Sequence, residues 1–118
     1  MWWRVAGVSG ALAVALGAFG AHGLKNLVDD PHLLEVWDTG ARYHLVHAVA
    51  LLGVAAHPRR PRFAGGAFVV GTLLFSGSLY LMTLTGARWL GAITPLGGVS
   101  FIAGWVALAF ASDRPADR

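Results

Sequence analysis

The chain has 118 residues, 56% of them hydrophobic and only 13% charged, with a formal net charge of +3. A soluble domain of this length has too little interior to hide so much apolar surface, so the surplus must face lipid, a partner, or both. Cysteine is absent, which excludes disulfides, thiolate metal sites and cysteine nucleophiles; the arginines sit between apolar runs rather than along a basic stripe interleaved with aromatics, so nucleic acid is not an expected partner.

The first apolar run covers residues 5–21 and carries no charge. Trp2, Trp3 and Arg4 precede it, as suits a membrane–water interface. With its flanks it is long enough to cross a hydrocarbon core of about 30 Å. Ala18 and Gly20 also fit the small-x-small pattern of a signal-peptide cleavage site. The single arginine and paired tryptophans of the leading segment favour a retained span. Ala13, Gly17 and Ala21 form one small-residue stripe on this helix, and Gly7, Ala11 and Ala15 a second. Both are expected to pack against other helices.

A polar stretch, residues 22–42, holds Lys25, Asp29, Asp30, Glu35, Asp38 and Arg42. Asp30 followed by Pro31 reads as an N-cap and first helical residue. The helix from Pro31 is either a short interfacial helix between the first two spans or the polar overhang of the second. The second apolar run, 43–56, reaches spanning length if the span starts near Thr39. Pro58 and Pro61, among Arg59, Arg60 and Arg62, break the chain. The third run, 63–85, has no charge. One of its faces carries Thr72, Ser76, Tyr80 and Thr83 and should be buried, with Ser78 and Thr85 lying off it. After Gly86, Ala87 and Arg88 comes the fourth run, 89–111, in which Thr94-Pro95 reads as an N-cap and first-turn pair. The predicted fold class is therefore all-α: a polytopic membrane protein, four transmembrane helices in a compact bundle, one domain over residues 1–118, with spans near 4–23, 39–57, 63–85 and 90–111. Solvent-exposed helices need a polar face, which the long uncharged runs lack, and period-two alternation for a β-barrel is absent.

With an even number of spans both termini share a side. That side holds Arg4, Arg59, Arg60, Arg62, Arg114 and Arg118, against Lys25, Arg42 and Arg88 on the other. The excess places both termini in the cytoplasm.

The residues able to carry chemistry gather around the second span. His44 and His47 are three apart and share a helical face, while Asp38 and Arg42, four apart, can pair. His22 ends the first span on the same side of the membrane, so three histidines could converge near the non-cytoplasmic surface. Three uses compete: tying up helix ends, holding a metal ion or haem through His22, His44 and His47, or forming a pocket for a lipid headgroup, quinone or other small molecule. The candidate ligand-binding set is His22, Arg42, Tyr43, His44, His47, Ser76 and Tyr80. No nucleotide loop or catalytic set accompanies it. Ser76-Gly77-Ser78 lacks the strand-turn-helix setting of a nucleophile elbow. The expectation is a non-enzymatic accessory or structural membrane component without a cofactor, in contact with membrane lipids and able to form a homo-oligomer or join a larger membrane complex. The alternative is a small-molecule, lipid or metal/haem binder.

Four segments form a pattern in order along the chain: 17–24 (GAFGAHGL), Tyr43-His44-x-x-His47-Ala48, 74–80 (LFSGSLY) and 90–98 (LGAITPLGG), with Gly104-Trp105 beyond. Together they resemble the YgdD-like family of small four-helix membrane proteins of unknown function, with bacterial and mitochondrial relatives. The resemblance implies a cell inner (plasma) membrane protein, or a mitochondrial one, and no reaction. It directs attention to His22, Tyr43, His44, His47, Ser76, Ser78, Tyr80, Thr94 and Pro95.

Overall fold

Four α-helices and short connecting turns account for the regular structure of the computed structural model, which describes residues 1–112. They are α1 (Trp2–His22), α2 (Pro31–Ala56), α3 (Arg62–Thr85) and α4 (Thr94–Ala109). A 3₁₀ turn, Leu24–Asn26, follows α1, and another, Arg88–Ala92, leads into α4. Arg114 and Arg118 of the predicted cytoplasmic set lie outside the described residues. Three helical segments are long and apolar enough to cross a membrane: Trp2–His22, Arg62–Thr85 and Arg88–Ala109.

The fourth helix, α2, is different. It begins where Asp30 caps it, the side chain accepting from the His32 amide at 2.9 Å with Pro31 in the first turn. From there it runs 26 residues without interruption. There is no separate interfacial helix: the polar stretch from Pro31 and the second apolar run form one continuous helix. Trp37 is buried, and its indole N–H donates to the Leu16 carbonyl of α1 at 2.9 Å. Further along, His44 lies beside Ser9 of α1. Seven residues on each helix separate these two contacts, so α1 and α2 lie antiparallel and in contact over nearly the length of α1.

The packing face of α1 is set by Ala6 and Ala13, which are buried, and by Gly20, against which the Trp37 ring lies. The expected stripes are therefore corrected. Gly7, Ala11 and Ala15 are exposed, and of Ala13, Gly17 and Ala21 only Ala13 is buried. Heptad spacing, not spacing by four, brings this nearly straight helix onto its neighbour.

α3 is continuous but contains a π turn at Thr72–Ser76, where the Gly77 amide bonds the Thr72 carbonyl. α4 approaches this turn closely. A Cβ on Gly97 would collide with the Phe75 amide nitrogen and lie 2.8 Å from the Leu74 carbonyl carbon. Backbone cannot move aside as a flexible side chain can, so position 97 requires glycine. Gly86 ends α3 with a positive φ of 73°, its amide bonding the Met82 carbonyl at 2.8 Å. Thr94 does not act as an N-cap. It is already helical, and its hydroxyl bonds back to the Leu90 carbonyl and across to Ser78. The largest buried cluster joins Ala6, Ala50, Leu51, Val54, Ala64, Phe68 and Phe101 at the end of the bundle near the 57–61 loop.

Replacing Gly97 by Ala should separate α3 from α4 and cost about 2 kcal/mol, the usual scale for overpacking. Gly7→Ala, with nothing within 4 Å of the added carbon, should change stability by less than about 0.5 kcal/mol. Reversible unfolding in mixed detergent micelles, followed by circular dichroism, measures both.

Candidate functional site

In a water-free interior a polar side chain must find a protein partner. Among the described residues no buried side-chain nitrogen or oxygen lacks one. Seven side-chain hydrogen bonds join one helix to another, and five of them involve α2. At a membrane average of about 0.6 kcal/mol each they contribute roughly 4 kcal/mol, the order of a whole small protein's net stability.

His47 is the more tightly held of the two α2 histidines. Its Nδ1 lies 2.7 Å from the Tyr43 carbonyl, and its Nε2 receives the Trp105 indole N–H at 3.0 Å. Indole only donates, so Nε2 is the acceptor and Nδ1 carries the proton. The ring also stacks on Phe101, with centroids 3.6 Å apart and planes 8° from parallel. His47 thus fixes α4 to α2 as a neutral imidazole with both nitrogens committed.

His44, one turn earlier, serves α1 and α3. Its Nδ1 is 3.0 Å from the Tyr80 hydroxyl, and its ring lies beside Ser9. The Tyr80 ring lies against Trp37 at 4.5 Å. The predicted polar face of α3 continues on both sides of this pair. The Ser76 hydroxyl, fully buried, donates to the Gly40 carbonyl at 2.7 Å, and that of Thr83 to the Leu33 carbonyl at 3.0 Å. Ser78 turns the other way and meets Thr94 at 2.6 Å. Ser76 thereby ties α3 to the α2 backbone.

The structure does not bring the three histidines together. His22 is exposed and bonds the Ala18 carbonyl of its own helix. His44 is level with Ser9, thirteen residues down α1 from His22, a separation of roughly 20 Å along the helix. Among the described residues no group of three His, Asp or Glu side chains could hold a metal ion. Arg42 and Tyr43 point away from the His44 ring. Arg42 Nε pairs with Asp38 at 2.9 Å on the outer surface, and Tyr43 packs its ring against Phe75. Sequence reasoning missed Trp37 and Trp105, which supply the indole donors. The available signal was an indole N–H inside an apolar helix, which demands an acceptor on another element.

α1 and α3 diverge and leave a groove of about 560 Å³, walled by Val8, Leu12, Val69 and Leu73, with His44 and Tyr80 at its base and Arg4 at its end. Its lining is almost wholly apolar, which suits a hydrocarbon chain rather than a polar substrate.

Taken together, the helices and this lining define a helical membrane protein. The chain belongs to a family described as a protein of unknown function, DUF423, which matches residues 16–98. Relatives carry the name UPF0382 membrane protein. One from Schizosaccharomyces pombe is 40% identical over 113 residues, covering 90% of this chain and 96% of its own. YwdK of Bacillus subtilis is 45% identical over 111 residues, 89% of each chain. One from Haemophilus influenzae is 40% identical over 109 residues, 89% of this chain and 87% of its own. The resemblance drawn from the four motifs thus holds as membership of an uncharacterised membrane-protein family found in bacteria and fungi. No solved structure matches the chain.

His47→Phe keeps a ring on Phe101 but leaves the Trp105 N–H without an acceptor, and should cost about 1–2 kcal/mol. Adding Trp105→Phe should return part of that loss, giving a favourable coupling between the two positions in a double-mutant cycle. His22→Ala should change stability by less than about 0.5 kcal/mol. The same micelle unfolding assay reads all three.

Proposed function

We propose that the chain is a four-span component of the cell inner (plasma) membrane, with both termini cytoplasmic, that performs no chemistry of its own and works as an accessory or structural element through association with other membrane proteins or with itself. One observation carries this reading: the polar groups of the interior are used up in joining helices. His44, His47, Ser76, Ser78, Thr83 and Trp105 each hold a partner, and among the described residues no group of His, Asp or Glu is placed to hold a metal ion. α2 counts as the fourth span because the Trp37–Leu16 bond and the contact of His44 with Ser9 hold it alongside α1. The orientation follows from Arg4, Arg59, Arg60 and Arg62 at one end. Reporter fusions should place both termini and the 57–61 loop in the cytoplasm and residues 86–88 outside. Mild extraction should yield a discrete homo-oligomer or a stoichiometric membrane-protein partner; a strictly monomeric, partner-free particle would refute the reading.

The groove between α1 and α3 favours a second reading, a lipid binder. Apolar walls would take one acyl chain, and Arg4 at the open end would meet an anionic headgroup. Native mass spectrometry should find a retained phospholipid, with Leu73→Trp lowering its occupancy about tenfold, a loss near 1.4 kcal/mol. Equal occupancy in the filled variant would count against the groove.

A further inference from the structure

The polar half of α2 has a consequence when the helices are aligned by depth. Trp37 bonds the Leu16 carbonyl and His44 lies beside Ser9, so Arg42 lies level with Ala11, near the midpoint of α1. Independently, Ser76 bonds the Gly40 carbonyl. That sets Arg42 opposite Leu74, near the midpoint of α3. Both alignments put Arg42 close to the middle of the apolar slab, with Asp38 one turn above it.

The two form an ion pair at 2.9 Å, yet their side chains are 77% and 59% exposed on the outside of the bundle. A headgroup lies roughly 15 Å from the bilayer centre, farther than an arginine stem can carry its guanidinium by snorkelling. An uncovered charge pair at that depth faces hydrocarbon, which ionised groups in membrane segments avoid by turning toward protein or a water-filled cavity.

The pair does not stand alone. Asp38, Arg42, Leu45, Val49 and Leu52 are spaced 4, 3, 4 and 3 residues apart, and each is exposed. That is the heptad repeat of a helix seam that packs against a second helix. None of the described helices covers it. The seam is also self-complementary. In a copy parallel to the first, related by a two-fold axis along the membrane normal, the apolar positions meet their equivalents. Each Arg42 then reaches the Asp38 of either chain, so two pairs close into a neutral four-charge cluster shielded from lipid. Glu35 continues the stripe one turn higher, at the level of Ala18, nearer the headgroups.

We infer that the outer face of α2 is a self-association surface, on which a second copy of this chain docks through the Asp38–Arg42 pair and the Leu45–Val49–Leu52 seam. The inference rests on the four-span reading above and names the partner within it.

The full chain contains no cysteine, so single thiols report cleanly when oxidised in the membrane. Leu45→Cys and Val49→Cys should form about tenfold more disulfide-linked dimer than Val14→Cys on α1 or Ile102→Cys on α4, because an interface holds the two thiols at high effective concentration. In the Leu45→Cys background, Asp38→Arg alone and Arg42→Asp alone should each lower the dimer yield about tenfold, and co-expression of the two should restore it by pairing opposite charges. Equal cross-linking at all four positions, monomer at every position, or a dominant cross-link to a different protein would overturn the inference even if the charge variants fail to insert, since the first comparison uses native charges. A separate probe distinguishes failure of the four-span reading: Arg42→Cys should resist a membrane-impermeant maleimide. Ready labelling would place α2 in water and overturn that reading and the inference together, whereas a protected but monomeric chain overturns only the self-association.

Discussion

The organisation of this protein depends on α2 being polar where its surroundings are not. In an apolar bundle, tails and side chains attract one another no better than they attract lipid, so helices are held by close packing and by hydrogen bonds that water cannot contest. α2 brings two imidazoles and the Gly40 and Leu33 carbonyls to that setting, and each is met by another helix. From α3, Tyr80 meets His44, Ser76 donates to Gly40 and Thr83 donates to Leu33, while Trp105 of α4 donates to His47. Because a lost partner cannot be replaced by water, each tie also specifies which helix lies where.

The remaining helices divide by how they use this hub. α3 and α4 come together closely. Gly97 admits the backbone of the π turn, and Ser78 with Thr94, and Ser100 with the Ala67 carbonyl, join the two directly. The widened turn falls where α4 presses nearest. α1, by contrast, is fastened chiefly to α2, through Trp37, His44 and the small residues Ala6, Ala13 and Gly20. Its separation from α3 leaves the apolar groove. A bundle built this way has a saturated interior and distinctive surfaces, so its activity is sought at those surfaces: the groove on one side of α2 and the charged heptad seam on the other.

Membership of a family of membrane proteins from bacteria and a fungus is consistent with such a design. The segments that carried the resemblance now have physical roles. The glycine and alanine run ending at His22 contains Gly20 against the Trp37 ring, the Tyr43 to His47 segment supplies both imidazoles, the Ser76 to Tyr80 segment their counterparts on α3, and the segment around Thr94 and Gly97 the close α3–α4 approach.

Apolar run length and the placement of arginines and prolines were enough to read a helical membrane protein, because hydrocarbon leaves the backbone few ways to satisfy itself. The cap at Asp30, the Asp38–Arg42 pair and the burial of Ser76 and Thr83 on the polar face of α3 were legible too, since each depends on spacing within one helix; Thr72 and Tyr80, expected on the same buried face, are half-buried and line the groove. What spacing could not supply was the register between helices. It was register that carried α2 down to Pro31 alongside α1, sent His44 and His47 to different neighbours, left His22 far from both, and turned Gly7, Ala11 and Ala15 outward. The reason is that contacts within a helix are fixed by a repeat of 3.6 residues, whereas contacts between helices depend on depth and rotation, which only the joint fit of all four can set.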